Sequence, residues 1–225
     1  MNATSVFCDA ERTSLMPKTS STVFVVDDDV SVRESLEFLI RDEGWQVETF
    51  TSAEEFINRP REFAPSCIVL DISMPGLNGL DLQKRLAVDR PNMPIIFLTG
   101  NADIAMTVQA MKAGAVEFLT KPFSDSALLS SVSKAMARST ALIAREAELR
   151  ALRARYVRLS SREREVMALV VSGKANKEVA SELGISEITV KAHRGNMMRK
   201  MEADSLAELV NQAARLRLAR PNRQP

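Results

Sequence analysis

The sequence predicts an α/β domain with a five-stranded parallel sheet, followed by a small all-helical domain. Up to about residue 137, apolar runs of strand length alternate with segments of helical periodicity, and from about residue 158 every periodic segment is helical. The net charge also reverses, from −7 over residues 22–135 to +8 over residues 136–225. A chain of 225 residues is long enough for two domains, and their opposite charges suggest different partners.

The composition excludes several classes of protein. With 45% hydrophobic and 26% charged residues, the chain has the composition of a soluble globular protein. No apolar run approaches the ~20 residues that span a bilayer. Residues 1–21 are rich in Ser and Thr, contain no secretory signal and predict a disordered N-terminal extension. Cys8 and Cys67 are too few for a disulfide framework, so we expect a cytoplasmic protein that does not associate with a membrane.

The first domain, residues 22–137, consists of five strand–helix units. The predicted strands are Thr22–Val26, Gln46–Phe50, Cys67–Leu70, Pro94–Leu98 and Ala115–Leu119. The predicted helices are Val30–Arg41, Ala53–Asn58, Leu80–Val88, Ile104–Ala113 and Asp125–Ala137. This alternation predicts a parallel sheet with helices on both faces, and the near-continuous apolar runs indicate strands buried on both sides. The functional site of such a sheet lies at the carboxyl ends of its strands.

Residues 138–157 predict a helical linker, because they contain no Gly or Pro and many strong helix formers. Leu142, Leu149 and Tyr156 are seven residues apart. This stripe is compatible with a short parallel coiled coil between two protomers and with an amphipathic linker that lies on its own domains. Two heptads are too few to decide, and the second interpretation is slightly favoured.

The second domain, residues 158–218, is predicted to contain four helices, followed by a basic tail over residues 219–225. Ser160 and Glu163 form a capping box that begins the first helix, which extends to about Val171. The remaining helices are Lys177–Leu183, Glu187–Met201 with Ser186 as its cap, and Ser205–Leu218, with Asn176 as a candidate cap for the helix at Lys177. The three-residue turn Gly184-Ile185-Ser186 between two short helices predicts a helix-turn-helix.

Polar side chains follow the strands of the predicted sheet. Asp27, Asp28 and Asp29 come directly after the first strand, and Asp71 ends the third. Thr99 ends the fourth strand, and Lys121 follows the fifth. Because the carboxyl ends of parallel strands meet at one edge, these groups share a pocket, where the carboxylates repel one another and require a cation. Oxygen ligands with few donors favour Mg²⁺.

Four segments carry a family resemblance: VVDDD (25–29), LDISMPGLNG (70–79), LTG (98–100) and FLTKPF (118–123). Together they resemble the receiver domain of two-component response regulators, over roughly residues 22–137. The resemblance implies a flavodoxin-like fold in which Asp71 accepts a phosphoryl group from a sensor histidine kinase. It also implies that Lys121 and Thr99 bind phosphoryl oxygens, and that the Lys121–Pro122 bond is cis.

The same resemblance implies a metal site and a switch. Mg²⁺ would be held by Asp27, Asp28, Asp71 and the backbone carbonyl of Ser73. Thr99 and Phe118 would form the switch, with Phe118 standing where many relatives carry Tyr; Phe118 is equally compatible with a plain core role. The expected dimer surface consists of Ile104–Ala113, the fifth strand and Asp125–Ala137, and Ser73 and Asn101 would tune the lifetime of the phosphoryl group.

The segment LSSREREVMALVVSGKANKEVASELGISEITVKAHRGNMMRKM (159–201) resembles the LuxR-type helix-turn-helix of the NarL/FixJ group. The resemblance implies that the third helix of this domain enters the major groove of DNA. The expected DNA-binding residues are Lys174, Lys177, Thr189, Lys191, Arg194 and Arg199. Lys191 is the best candidate for a base edge, and the other basic residues are expected at phosphates. Gly195 would either permit close approach to DNA or weaken direct readout.

Taken together, the motifs predict a response regulator rather than an enzyme, with no catalysis beyond Mg²⁺-assisted self-phosphorylation at Asp71. Phosphorylation would promote homodimerisation and binding to double-stranded promoter DNA. The bound regulator would then control transcription through RNA polymerase, most often as an activator. The alternative is a constitutive DNA-binding regulator whose receiver-like domain dimerises without phosphorylation. A phosphatase is disfavoured, because Ser73 rather than a second acid stands two residues after Asp71.

Overall fold

The computed structural model describes residues 21–61, 63–100 and 104–217. The predicted extension at residues 1–21, except Ser21, lies outside the described residues, as do the predicted tail at 219–225 and Asn101. The chain divides into two compact units that meet between Ile143 and Ala144. Each unit is built around its own core.

The first unit contains a five-stranded parallel sheet, as predicted. The strands are β1 (Thr22–Val26), β2 (Gln46–Phe50), β3 (Ser66–Asp71), β4 (Ile95–Thr99) and β5 (Glu117–Thr120), in the order β2-β1-β3-β4-β5. All residues of β1, β3 and β4 are buried, whereas β2 and β5 at the edges are partly exposed. The order changes direction at β1 and β3, so the site at the carboxyl edge lies between these strands.

The helices of the first unit begin where short polar side chains cap them. They are α1 (Val30–Asp42), α2 (Ala53–Asn58), α3 (Gly79–Asp89), α4 (Ile104–Lys112) and α5 (Asp125–Val157). Asp29 Oδ1 accepts a hydrogen bond from the Ser31 amide at 2.8 Å. Ser52 and Asn78 cap α2 and α3 in the same way. The caps at Asp29 and Asn78 set the first turns of α1 and α3 directly after β1 and the β3 loop, at the carboxyl edge.

Apolar side chains cover both faces of the sheet. On one face Phe24, Phe50 and Phe56 form an aromatic cluster with ring centroids 5.3–6.1 Å apart. On the other face the core includes Cys67 and residues of α1 and α5. Burial raises the pKa of the Cys67 thiol to about 12, so this thiol is neutral and serves as packing. Burial on both faces fixes the strand ends that carry the site.

Helix α5 differs from the prediction. Two separate segments, Asp125–Ala137 and a linker at 138–157, were expected, but one helix runs from Asp125 to Val157. Ser139 is fully buried in the first unit, where its hydroxyl accepts from the Ser66 amide at 3.1 Å and donates to the Asn92 carbonyl at 3.0 Å. The helix continues because no Gly or Pro occurs in it. In the second unit, Leu152 is buried and Tyr156 packs against the same core.

The second unit contains the predicted helix-turn-helix. Its helices are α6 (Ser161–Val171), α7 (Asn176–Leu183), α8 (Glu187–Met201) and α9 (Leu206–Arg215). The capping box is confirmed: Ser160 Oγ accepts from the Glu163 amide at 3.2 Å, and Glu163 Oε2 accepts from the Ser160 amide at 2.7 Å. Gly184 ends α7 with a positive φ of 65°, and α8 begins three residues later.

Two boundaries in this unit were predicted wrongly. Asn176 does not cap α7, because it is already helical and its side chain accepts a hydrogen bond from Arg194; the cap position is Ala175, whose amide donates to Glu178 at 2.7 Å. Helix α9 ends at Arg215 rather than at Leu218, because Arg217 takes a left-handed φ of 54°.

The core of the second unit orients α8. Val190, Met197 and Met201 of α8 are buried with α6 and α9, as their helical spacing predicted. The opposite side of α8 therefore faces away from this core. Within the described residues, the structure has no helix that is long and apolar enough to cross a membrane.

Candidate functional site

Lys121 connects two strand ends at the carboxyl edge of the sheet. Its Nζ donates to Asp27 Oδ2 at 2.8 Å and to Asp71 Oδ1 at 2.9 Å. Asp27 follows β1 and Asp71 ends β3, and these residues are only 1% and 5% exposed. Two buried carboxylates side by side repel each other, so the ammonium between them provides the compensating charge.

The second oxygen of each carboxylate is held by backbone. Asp27 Oδ1 accepts from the Asp29 amide at 2.9 Å, and Asp71 Oδ2 accepts from the Ser73 amide at 2.7 Å. Each carboxylate thus has one oxygen on the ammonium and one on an amide of the loop that follows it. This arrangement fixes the orientation of both groups without a further side chain.

The pairing of β4 with β5 brings Thr99 and Lys121 together at the carboxyl edge. The Lys121 amide donates to the Thr99 carbonyl at 2.7 Å, and Thr99 is 1% exposed at the end of β4. The Lys121–Pro122 bond is cis, as the family resemblance implied. A carboxylate, an ammonium and a hydroxyl therefore occupy neighbouring strand ends, which is a combination suited to phosphoryl chemistry.

The pKa of Lys121 results from opposing effects. Burial lowers it, but hydrogen bonds and charge from Asp27 and Asp71 outweigh the burial and raise the pKa above its ordinary value of 10.5. A raised pKa in the folded state means that the contribution of the Lys121 charge to stability is present below pH 10.5 and is lost as the pH rises through the higher folded value. Lys121 is therefore charged throughout the physiological range.

The oxygen donors at this edge fit Mg²⁺, although they do not all converge. Asp27 and Asp71 are joined through Lys121, whereas Asp28 is exposed. Among the described residues, no group of three or more His, Cys, Asp or Glu side chains is arranged as a metal site. Carboxylates without nitrogen or sulfur donors are the ligands of a hard cation, so the chemistry of the donor set agrees with Mg²⁺.

A second candidate site lies on α8. Its exposed side includes Lys191, Ala192, Gly195 and Arg199, which lie three or four residues apart on one face of the helix. A Cβ atom added at Gly195 would meet nothing within 4 Å, so the glycine is not required by packing inside the unit. Arg199 donates to Asn196 at 2.9 Å on the same exposed side.

The other predicted DNA-binding residues differ in what they contact. Lys177 is exposed at the start of α7. Lys174 forms an ion pair with Glu182, and Arg194 donates to Asn176 Oδ1 at 2.7 Å. The hydroxyls of Thr189 and Ser186 lie 2.8 Å apart at the beginning of α8. Arg194 thus links α8 to α7, which sequence reasoning, having placed it at a phosphate, did not predict.

Comparison with known proteins shows the relationship of both units. Residues 23–133 match the response regulator receiver domain, and residues 157–213 match the luxR family of bacterial regulatory proteins. Nodulation protein W of Bradyrhizobium diazoefficiens is 48% identical over 198 residues, which cover 88% of this chain and 87% of that protein. This chain belongs to the response regulator family.

Further relatives of this response regulator agree. The transcriptional regulatory protein FixJ of B. diazoefficiens is 40% identical over 88% of this chain and 96% of FixJ. The solved structure of the response regulator StyR is 44% identical, with a TM-score of 0.76 over 87% of this chain and 99% of StyR. The predicted family and fold are confirmed: the protein is a two-component response regulator of transcription with a receiver and a LuxR-type DNA-binding domain. As such it is a regulator and not a conventional enzyme, and a sensor kinase and DNA are its expected partners.

Sequence reasoning missed two supports of the response regulator's acidic site. Gly79 begins α3 against the strand end: a Cβ there would lie 2.7 Å from the Asp71 carbonyl oxygen and 3.2 Å from the Phe97 ring. Arg33 of α1 donates to the Asp27 carbonyl at 2.7 Å. The glycine stands in the motif LDISMPGLNG, but its spacing gives no sign of this close approach, and nothing in the sequence indicates the arginine contact.

Phe118 is half-buried in β5. Its ring lies 6.3 Å from that of Phe97, and it packs against the core that contains Ala110 and Ala115. Phe97 in turn lies against the start of α3 at Gly79. The aromatic side chain therefore packs against the same core as the start of α3, which approaches the end of β3 at Asp71.

Proposed function

We propose that Asp71 accepts a phosphoryl group from a phosphohistidine of a sensor histidine kinase, and that this modification controls DNA binding by residues 158–218. The contact of Lys121 with both Asp71 and Asp27 carries the proposal, because it places a fixed positive charge beside a buried carboxylate. The proposed domain boundaries are 22–137 for the receiver, 138–157 for the connecting helical segment and 158–218 for the DNA-binding domain.

The proposed reaction is an in-line displacement at phosphorus. An oxygen of Asp71 attacks the phosphorus, the P–N bond to the histidine breaks, and the imidazole nitrogen leaves with the electron pair and takes up a proton. The product is an aspartyl phosphate. Lys121 compensates the negative charge on the phosphoryl oxygens, and the hydroxyl of Thr99 binds one of them.

Mg²⁺ would be held by the carboxylates of Asp27, Asp28 and Asp71 and by the backbone carbonyl of Ser73. The bound ion supplies positive charge to the phosphoryl oxygens. For this chain's own residues, the role of Asp27 is to hold Lys121 in place through its 2.8 Å contact, so that the ammonium is already oriented towards Asp71.

We propose a homodimer as the product of phosphorylation. The charge added at Asp71 would draw Thr99 towards it, and Phe118 would repack inwards against Phe97. Three residues at helical spacing on α4 support an apolar contact surface: Ile104, Val108 and Met111 are 80%, 45% and 42% exposed. With β5 and the first part of α5, this face is the proposed dimer surface.

In the DNA-binding domain, Lys191 is proposed to contact a base edge, and Lys177 and Arg199 to contact phosphates. Lys174, Thr189 and Arg194 are proposed to reach the backbone of DNA while keeping their contacts inside the unit. Dimeric binding to promoter DNA would then activate transcription through contact with RNA polymerase, in the cytoplasm.

The test uses the full-length protein, a small acyl phosphate donor and Mg²⁺. Wild type should gain one phosphoryl group at Asp71, detected by mass spectrometry of the intact chain and its peptides. It should then sediment as a dimer and bind promoter DNA more tightly. Asp71→Asn, which keeps the size of the side chain, should do none of these.

A different result would favour the alternative function. If wild type and Asp71→Asn bind the same promoter with equal affinity, and the donor changes neither, the receiver acts as a constitutive dimerisation module. Phosphorylation of Asp71→Asn at the wild-type rate would instead place the modification elsewhere in the chain.

A further inference from the structure

Ile188 is 80% exposed in the first turn of α8, although it is a large apolar residue. The buried side of α8 is formed by Val190, Met197 and Met201, so Ile188 takes no part in the core of the unit. Burying an isoleucine side chain typically gains about 1.5–3 kcal/mol, and at this position the fold forgoes that gain. The exposed side chain is therefore available for contact with a partner.

The surroundings of Ile188 are basic and include two very small residues. Lys191, Ala192 and Gly195 follow it at helical spacing on the same exposed face, and Arg199 lies one turn further on. Ala192 has a single methyl group and Gly195 none, and nothing within 4 Å would oppose a Cβ at Gly195. A partner can approach the backbone of α8 closely here, and Ile188 then projects towards it from the N-terminal end.

Duplex DNA is the partner that fits this face. The cations of Lys191 and Arg199 complement a polyanionic duplex, and the face is continuous with the surface by which a helix-turn-helix enters the major groove. The first residues of such a helix reach base edges. The major groove presents one apolar group to them, the 5-methyl group of thymine.

We propose that Ile188 reads the 5-methyl group of a thymine in each half-site of the operator. The contact is apolar and adds specificity to the polar readout by Lys191, with the small residues Ala192 and Gly195 allowing the approach. The inference rests on DNA binding by this domain and not on phosphorylation at Asp71.

The experiment is a selection from random duplex DNA with the full-length protein treated with acyl phosphate and Mg²⁺. Wild type should enrich a site with a fixed thymine, and Ile188→Ala should lose the preference at that position alone. Val157→Ala is the matched control, because Val157 is also an exposed apolar residue of the second unit, 73% exposed at the end of α5. It should select the wild-type sequence.

Replacement of the fixed thymine by deoxyuridine removes the methyl group and leaves every hydrogen-bonding group in place. Made in one half-site, this change should weaken binding of wild type about fourfold, the value of one buried carbon, and should leave Ile188→Ala unaffected. Ile188→Val should keep part of the effect. Circular dichroism confirms that each variant is folded, as expected for an exposed helical position where Ala is a better helix former than Ile.

Three outcomes would overturn the inference. In the first, Ile188→Ala selects the wild-type sequence with equal preference at every position. In the second, deoxyuridine weakens both proteins equally. In the third, Ile188→Ala changes self-association without changing the selected sequence, which would make Ile188 a protein contact. Failure of wild type to enrich any sequence would contradict sequence-specific DNA binding itself and is thereby distinguished from the other results.

Discussion

The position of Lys121 between Asp27 and Asp71 makes a prediction about stability. Lys121→Met keeps much of the side chain's volume but leaves two buried carboxylates facing each other. We expect a loss of about 2–3 kcal/mol in the free energy of unfolding at pH 7. Adding Asp27→Asn should recover part of the loss, because a neutral amide removes the repulsion between the two carboxylates. Urea unfolding of both variants at pH 7 measures both effects; the absence of any recovery would contradict the electrostatic explanation.

Two glycines give a matched pair of alanine substitutions. At Gly79 a Cβ would lie 2.7 Å from the Asp71 carbonyl, so Gly79→Ala should shift the strand end, cost about 1–3 kcal/mol and slow phosphorylation of Asp71. At Gly195 a Cβ meets nothing within 4 Å, so Gly195→Ala should stabilise α8 by roughly 0.5–1 kcal/mol. Thermal unfolding and the rate of phosphoryl incorporation test the pair. Equal stability changes of the same sign would refute the packing argument.

At the scale of elements, agreement with the sequence depends on local signals. Strands β1 and β2 and helices α2 and α8 have the predicted ends, because caps such as Ser52 and Ser186 and continuous apolar runs mark them. Helix α5 was divided wrongly, because a change of domain does not require a change of secondary structure. Burial of Ser139 through contacts with Ser66 and Asn92, distant in sequence, is a tertiary effect that periodicity does not contain.

At the acidic site, too, the sequence predicted the strand ends but not the tertiary contacts. The order of strand ends predicted that Asp27, Asp71, Thr99 and Lys121 meet at one edge, and topology alone was sufficient for this. The pairing of Lys121 with two carboxylates depends on side-chain rotamers, and the approach of Gly79 depends on the path of a loop. Neither is encoded by a residue pattern, so both required the three-dimensional structure.

Glu163 of α6 is only 4% exposed, and its ion pair makes the stability of the second unit depend on pH. Burial raises the pKa of Glu163, but contacts with Lys200 at 2.6 Å and with Ser160 outweigh it and lower the pKa below 4.5. A lowered folded pKa means stability that is present above pH 4.5 and lost as the pH falls through the folded value.

Glu163→Gln should therefore destabilise the second unit by about 1–3 kcal/mol at pH 7, because the ion pair to Lys200 is lost while an amide oxygen remains for Ser160. The difference from wild type should diminish below pH 4.5. Guanidinium unfolding followed by circular dichroism over this range provides the measurement, with the exposed Glu165→Gln of the same helix as control. A difference that grows towards acid pH would show that the ion pair is not its source.

For the whole molecule, the reversal of charge along the chain separates two kinds of interaction. The net charge of +8 over residues 136–225 favours a polyanion, whereas the −7 of residues 22–135 would repel one. DNA affinity should therefore depend on salt through cations of the second unit alone. Exposed Lys177 at the start of α7 is such a cation, and Lys84 of α3, in the first unit, is exposed as well.

Lys177→Ala should weaken binding to all DNA sequences by a similar factor and reduce the slope of log affinity against log salt by about 1, because one phosphate contact and its released counterion are lost. Lys191→Ala should instead reduce discrimination between sequences, since a base contact is lost rather than a phosphate contact. Lys84→Ala should change neither the slope nor the discrimination. Titrations of labelled duplexes at several salt concentrations test all three variants together. An unchanged slope for Lys177→Ala would mean that Lys177 makes no phosphate contact. A changed slope for Lys84→Ala would mean that the charge of the first unit also acts at the DNA, and that the two halves of the chain do not divide their partners by charge.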